Sequence, residues 1–282
     1  MEYHKPKKVG EAIGLLTMGK GDHALLAGGT DLLVQIRTGA RRLKGVIDIS
    51  EIESLKGVTD GERAIEIGAM VTHSEIAESE LVRTHAPALA QACLTIGGVQ
   101  IQNRGTIGGN VMNASPAGDT LPAIVAYESE FLVQDLKGER WISFDAFFTG
   151  YRKTQVGAQE MLTRIRIPKA DPKERAAFYK IGQRRAQAIS KVSLCARARI
   201  RHGGVEWAKI ALGSVADRAI RARGTEALLA GKVVTANLID VARESIADEV
   251  APIDDIRSTA DYRKFAAGGL LARFLRQVIE TP

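Results

Sequence analysis

Two stretches of this chain concentrate glycine where a backbone could hold an anion. One is Ala27-Gly-Gly-Thr-Asp-Leu-Leu33; the other is Thr106-Ile-Gly-Gly-Asn110, which runs on through Asn113, Ser115 and Pro116-Ala-Gly-Asp119. Lacking a Cβ, glycine lets N–H groups come close to a phosphate, above all where a strand turns into a helix. Gly28-Gly29 follows a short apolar run and precedes a helix opening near Thr30-Asp31, with the Thr30 hydroxyl as a further donor. The same residues suit an ordinary strand-to-helix turn capped by Thr30 or Asp31. Neither a G-x-G-x-x-G fingerprint nor a Gly-Lys-Ser/Thr loop is present, so nucleotide hydrolysis has little support. The second stretch is denser: Gly97, Gly98, Gly105, Gly108 and Gly109 fall within 96–110. That much glycine predicts an irregular loop pressed against a ligand rather than a regular element. Asp119 follows a Ser-Pro-x-Gly turn, where it could accept from ribose hydroxyls or cap a helix over 120–127.

The elements that would carry these loops can be read from periodicity. Residues 1–55 read helix (9–18), strand (24–27), helix (31–37), strand (45–49), a βαβ pattern that favours a small sheet with a crossover helix. Residues 56–170 mix helix and strand: a strand at 64–68, a capping box at Thr72 and Glu75, a helix at 87–95, and a strand pair at 130–134 and 140–143 around Lys137-Gly138. After Pro168-Lys-Ala-Asp-Pro172, which reads as a linker, residues 171–282 read as strands at 177–181, 192–200 and 205–212 with a turn at 202–204. Helices follow near 222–230, 237–244 and 262–279.

Composition sets the frame. The 282 residues are 45% hydrophobic and 26% charged, the profile of a globular protein with room for two or three cores. The formal charge of +6 invites a nucleic-acid reading, but the basic residues are scattered. Arg197, Arg199 and Arg201 alternate with apolar residues, as in a half-buried strand, and no aromatic residues are interleaved. No apolar run approaches the roughly 18 residues of a membrane span, and the N-terminal stretch lacks an apolar signal core, so a cytoplasmic location is expected. Cys93 and Cys195 are the two cysteines; they exclude an iron–sulfur site of four cysteines from this chain alone and read as core residues.

Three motifs in order, Ala27-Gly-Gly-Thr-Asp31, Thr106-Ile-Gly-Gly-Asn110 with Ser115-Pro-Ala-Gly-Asp119, and Phe148-Thr-Gly-Tyr-Arg-Lys-Thr154, resemble the FAD-binding medium subunit of the molybdenum hydroxylases. That family includes the flavoprotein subunit of carbon monoxide dehydrogenase and the flavin domain of xanthine dehydrogenase. The resemblance spans essentially the whole chain, taking in Ile189-Ser-Lys-Val192 and Ser258-Thr-Ala-Asp-Tyr-Arg263. It implies an α+β fold of the vanillyl-alcohol-oxidase type: two FAD-binding subdomains at 1–55 and 56–170, then a C-terminal α+β domain at 171–282 with a three-stranded sheet and helices. By carry-over, Leu26, Ala27, Gly28, Gly29, Thr30, Asp31 and Leu32 would wrap the pyrophosphate. Thr106, Gly109, Asn110, Ser115 and Asp119 would hold the pyrophosphate, ribose and adenosine side. Ile96 and Gly97 would sit near the dinucleotide, and Leu162 and Lys180 would approach from later strands. A solvated strand lysine is the plain alternative for Lys180.

Covalent flavin attachment uses a histidine or cysteine, and neither glycine segment holds one, so noncovalent FAD is expected. The resemblance implies electron transfer within a heteromeric enzyme, a dimer of heterotrimers. A large subunit would hold the molybdenum cofactor and a small subunit the [2Fe-2S] clusters, while FAD here would pass electrons to NAD, quinone or oxygen. No residue is assigned a catalytic or metal-ligating role. A self-sufficient FAD-dependent oxidase or dehydrogenase, and a noncatalytic scaffold subunit, stand as the alternatives.

Overall fold

Among the described residues three larger sheets follow one another along the chain, with a two-stranded hairpin beside the second. The computed structural model describes residues 1–201 and 203–280; the turn residue His202 lies outside the described residues. The first region runs β1 (Glu2–His4), α1 (Val9–Met18), β2 (His23–Leu26), α2 (Leu32–Arg37) and β3 (Gly45–Asp48). Its sheet is parallel, in the order β1-β3-β2, with α2 crossing between neighbours β2 and β3. Strand β1 is absent from the sequence reading because three polar residues carry no period; pairing with Gly45–Ile47 alone makes them a strand. Helix α1 lays Ala12, Ile13 and Leu16 on Ile47, Ile49 and Leu55, one stripe of a 3.6-residue period.

The second region opens with β4 (Val58–Asp60) and β5 (Ala64–Gly68). The helices α3 (His73–Glu78), α4 (Glu80–His85), α5 (Pro87–Cys93), α6 (Val99–Gln102), α7 (Ile107–Asn113) and α8 (Thr120–Ala126) come next. It ends with β6 (Glu130–Gln134), β7 (Glu139–Ser143), α9 (Phe144–Phe147), the hairpin β8 (Phe148–Gly150) and β9 (Lys153–Thr154), and β10 (Met161–Pro168). The antiparallel order β4-β5-β10-β6-β7 returns β10 to the middle of the sheet, where it pairs with β5 and β6. The capping box forms as its spacing requires: Thr72 Oγ1 accepts from Glu75 N at 3.3 Å, and Glu75 Oε2 accepts from Thr72 N at 2.7 Å.

In the third region β11 (Glu174–Ile181), β12 (Val192–Arg201), β13 (Gly204–Gly213) and β14 (Ile220–Arg221) precede α10 (Arg223–Leu229), α11 (Ala236–Glu249) and α12 (Ala260–Glu280). The three expected strands are joined by β14, a two-residue edge paired to β13 that is too short to show a period. One face of this sheet gives Leu194, Ala196, Ile210 and Leu212 to a core shared with α11 and α12. The other gives Phe178, Cys195 and Ala211 to the second region's core. Strand β12 is therefore covered on both faces, not half exposed. Arg197 is buried because Glu174 Oε2 pairs with it at 2.7 Å and its guanidinium lies 4.2 Å from the Tyr127 ring. No helix of the described residues is long and apolar enough to cross a membrane.

Candidate functional site

The first glycine stretch is the loop from β2 to α2. Strand β2 is held by β3 and α2 must cross back over the sheet, so residues 27–31 turn sharply at the strand's C-terminal end. Gly29 has φ +75°, in the left-handed region that glycine enters freely. Gly28 is needed for another reason: a Cβ there would overlap the carbonyl of Arg104 in the second region. Among the described residues no acceptor meets the amides of Gly28, Gly29, Thr30, Asp31 or Leu32. Asp31 stands at the N-cap of α2 without capping it, its carboxylate accepting instead from Gln35 Nε2 at 2.5 Å. The half-buried amides of Gly28, Gly29, Thr30 and Leu32 ask for an outside acceptor, and that of the exposed Asp31 lies beside them.

The second stretch is built differently. The loop expected over 106–110 is the start of helix α7, N-capped by Thr106. Its leading amides are all satisfied inside the chain. Ile107 N donates to Val71 O at 3.0 Å, Gly108 N to Ala69 O at 2.9 Å and Gly109 N to Thr106 Oγ1 at 3.1 Å. Glycine at 108 is set by packing, because a Cβ would stand 2.6 Å from the Ala69 carbonyl oxygen. At Gly109 a Cβ would meet one atom, Thr106 Oγ1 at 3.0 Å, and otherwise project into open space. Density of glycine alone therefore misled: here it lets a helix lie directly against the backbone after β5.

Between the two stretches lies a cavity of about 400 Å³. It gathers Ala27, Gly28, Gly29, Thr30, Asp31 and Leu32 on one side and Ile96, Thr106, Gly109 and Asn110 on the other. Asn110 Oδ1 accepts from Thr120 Oγ1 at 2.6 Å, which fixes the amide's orientation. The remaining expected residues lie elsewhere. Leu26 is the last residue of β2, at the loop's root. Gly97, with φ +51°, shapes the turn before α6, and its carbonyl accepts from Gln187 N at 3.1 Å. Ser115 lines a neighbouring cavity of about 510 Å³, which shares Arg152 with the first. Leu162 is buried in the second region's core.

Asp119 and Lys180 meet as a buried pair. Lys180 Nζ is 2.5 Å from Asp119 Oδ2 and donates to Thr95 O at 2.8 Å, so neither is a solvated residue. Asp119 stands at the N-cap of α8 but makes no cap bond. Burial pushes its carboxyl up to about 6, with Lys180 opposing that rise. Its second oxygen, Oδ1, is buried without a donor among the described residues.

His73, Gln35, Arg41 and Met112 also line the first cavity and were not singled out in the sequence; Asn113 and Arg152, named there only within longer motifs, line it too. Arg152 donates to Asn113 Oδ1 at 2.9 Å, tying the β8–β9 hairpin to the end of α7. Its membership in the Phe148–Thr154 motif was the available signal. His73 is 2% exposed, and burial lowers its imidazole to about 4. His73 Nδ1 lies 3.7 Å from Cys93 Sγ. The two residue types linked to covalent flavin thus meet beside the cavity, brought there by α3 and α5 rather than by a glycine stretch.

Residues 1–170 match the family described as the FAD binding domain in molybdopterin dehydrogenase, and residues 177–278 match the CO dehydrogenase flavoprotein C-terminal domain. The chain is similar to the carbon monoxide dehydrogenase medium chain of Hydrogenophaga pseudoflava, at 33% identity over 97% of this chain and 95% of that one. It is also similar to the nicotinate dehydrogenase FAD-subunit of Eubacterium barkeri, at 29% identity over 99% and 96% of the two chains. The solved carbon monoxide dehydrogenase of Hydrogenophaga pseudoflava that lacks the Mo-pyranopterin moiety superposes with a TM-score of 0.95 at 33% identity, covering 98% of this chain and 96% of that one.

Proposed function

Since the chain belongs to the family of FAD-binding domains of molybdopterin dehydrogenases, we propose that it is the FAD-carrying electron-transfer subunit of a heteromeric molybdenum hydroxylase. FAD is its cofactor, and bound FAD supplies two-electron chemistry that can be run one electron at a time. The supporting observation is the cavity between the two glycine stretches, with five amides on its first wall that lack an acceptor among the described residues. Three features of this chain fit the cofactor. The free amides of Gly28–Leu32 suit a pyrophosphate. The open space over Gly109 suits a group lying close against α7. The orphaned Asp119 Oδ1 wants a donor, which a ribose hydroxyl or ring N–H could supply.

In this proposal the chain's residues bind and position, and perform no acid–base step. Gly28–Leu32 orient the anionic centre, and Thr106 and Asn110 hold the facing wall. Lys180 keeps the Asp119 carboxylate turned toward Thr95, and His73, kept neutral by burial, leaves that side of the cavity uncharged. Leu162 acts from behind as packing. FAD is held noncovalently, the three-way division at 55 and 170 is retained, and a cytoplasmic location belongs to the same proposal. Electrons arrive from an iron–sulfur small subunit beside a molybdenum large subunit and leave to NAD, quinone or oxygen.

Purification with and without co-expressed partners, followed by flavin and metal analysis, is the test. One FAD per chain, with iron and molybdenum only when partners co-purify, is the expected result. A colourless chain that takes up no FAD on reconstitution overturns the assignment.

A further inference from the structure

A cluster remote from the cavity sits on one face of the first sheet. Glu2 and His23 are both in register with Gly45 of the intervening strand β3, and His4 lies two residues along β1, so all three side chains share a face. Glu2 Oε2, His4 Nε2 and His23 Nε2 lie within 4.8 Å of one another. The carboxylate oxygen is 3.2 Å from His4 Nε2 and 3.3 Å from His23 Nε2. Ligand atoms around a tetrahedral zinc with bonds of about 2.0–2.1 Å stand about 3.3–3.4 Å apart, so two edges of that figure already have their length.

The surroundings prepare His23 for such a role. Its Nδ1 lies 3.3 Å from the Leu15 carbonyl oxygen, which can only accept. Nδ1 is thereby held against the chain, and Nε2 is the ring nitrogen that faces Glu2. At 3.3 Å, Nε2 and Glu2 Oε2 are both satisfied by a proton or by a metal ion between them. The ring is also slotted between two glycines: a Cβ at Gly19 or at Gly45 would overlap it. Neither glycine has a positive φ, so backbone conformation does not explain them. The ring of His4 closes the third side edge-on, with ring centroids 5.5 Å apart.

We propose that Glu2, His4 and His23 bind a divalent transition ion of the zinc class, clamping the polar edge strand β1 to β2 across β3. Two imidazoles and one carboxylate favour such an ion over magnesium or calcium, which take oxygen ligands. The fourth position faces solvent, since Glu2 is exposed. The clamp is structural and independent of the flavin site.

The test uses the full chain without a polyhistidine tag, stripped with chelator and titrated with zinc chloride by calorimetry. Cobalt(II) serves as an absorption probe of tetrahedral geometry. One equivalent of zinc is expected to bind and to raise the melting temperature by mass action. Glu2→Gln and His4→Ala should each weaken binding at least about tenfold. Gly45→Ala should abolish it by displacing His23. Glu51→Gln removes a nearby carboxylate paired with Lys5 and should leave binding unchanged. Unaltered FAD content in each variant shows that the fold stands. Absence of zinc binding, or equal binding in His4→Ala, overturns the proposal and leaves the trio as a histidine–carboxylate ion pair.

Discussion

The two glycine stretches look alike in sequence and differ in what their backbones do. In Gly28–Leu32 five amides have no acceptor in the described chain, whereas in Ile107–Gly109 every leading amide is bonded internally. The first stretch presents donors. The second removes side-chain bulk so that α7 can lie on the Ala69 backbone. Gly28 joins the two, because it is the point where the first loop touches Arg104 of the second region. Glycine density thus has at least two physical causes, and hydrogen-bond partners separate them.

Substitutions can break this contrast, and the largest effect on FAD binding should come from Gly28. Gly28→Ala drives a methyl into a backbone carbonyl that cannot rotate away, so the loops must part. FAD content should fall more than about tenfold together with thermal stability, a loss above about 1.4 kcal/mol in binding. Full flavin occupancy in that variant would remove the first stretch from the site.

Next comes the pair behind the second stretch. Lys180→Met leaves a buried carboxylate uncompensated and should cost about 3–5 kcal/mol at pH 8. That cost should shrink near pH 5, where Asp119 takes up a proton. Denaturant titrations at the two pH values check this.

His73 and Asp119 should oppose one another in acid. The His73 imidazole lies near 4, below its ordinary 6.5, so the folded state binds fewer protons there than the unfolded chain. Stability from this group is full above pH 6.5 and lost as pH falls toward 4. Asp119 lies near 6, above its ordinary 3.8, so its contribution is full below about pH 4 and lost as pH rises through 6. His73→Phe should remove the first effect, up to roughly 3 kcal/mol, and flatten the acid side of the stability profile. An unchanged profile would show that His73 does not titrate as its burial requires.

The smallest effects sharpen the contrast most. Gly108→Ala should destabilise by about 1–3 kcal/mol through overpacking. Gly109→Ala, one residue on, gains helix propensity but crowds the Thr106 cap hydroxyl, so the stability of the empty chain should change by less than about 1 kcal/mol. It should still weaken FAD binding, and Gly109→Val more so, without unfolding. Calorimetry with and without FAD measures both. Unaltered FAD affinity in Gly109→Val would make α7 purely a packing element.

Much of the fold was legible because its signals are local. The stripe of α1, the capping box at Thr72 and the long strands β11 to β13 show their periods within a few residues. Strands β1 and β14 did not, since two or three residues carry no period and their strand character comes from a neighbour. In the site, the loop at Ala27–Leu32 was legible because strand, glycines and helix are contiguous. Helix α7 was misjudged because glycine's low helix propensity was outweighed by contacts with Ala69 and Val71, which are far away in sequence.

Sequence by itself determined the chemistry on offer: two glycine stretches, an Asp119 after a Pro-x-Gly turn, two isolated cysteines and a family resemblance spanning the chain. Tertiary structure alone decided how those groups are used. Whether an amide is free, whether Asp119 caps α8 or pairs with Lys180, and whether His73 and Cys93 stand beside a cavity all depend on long-range neighbours. Hydrogen bonding and burial act through a few ångströms of space, and the chain order does not record that distance.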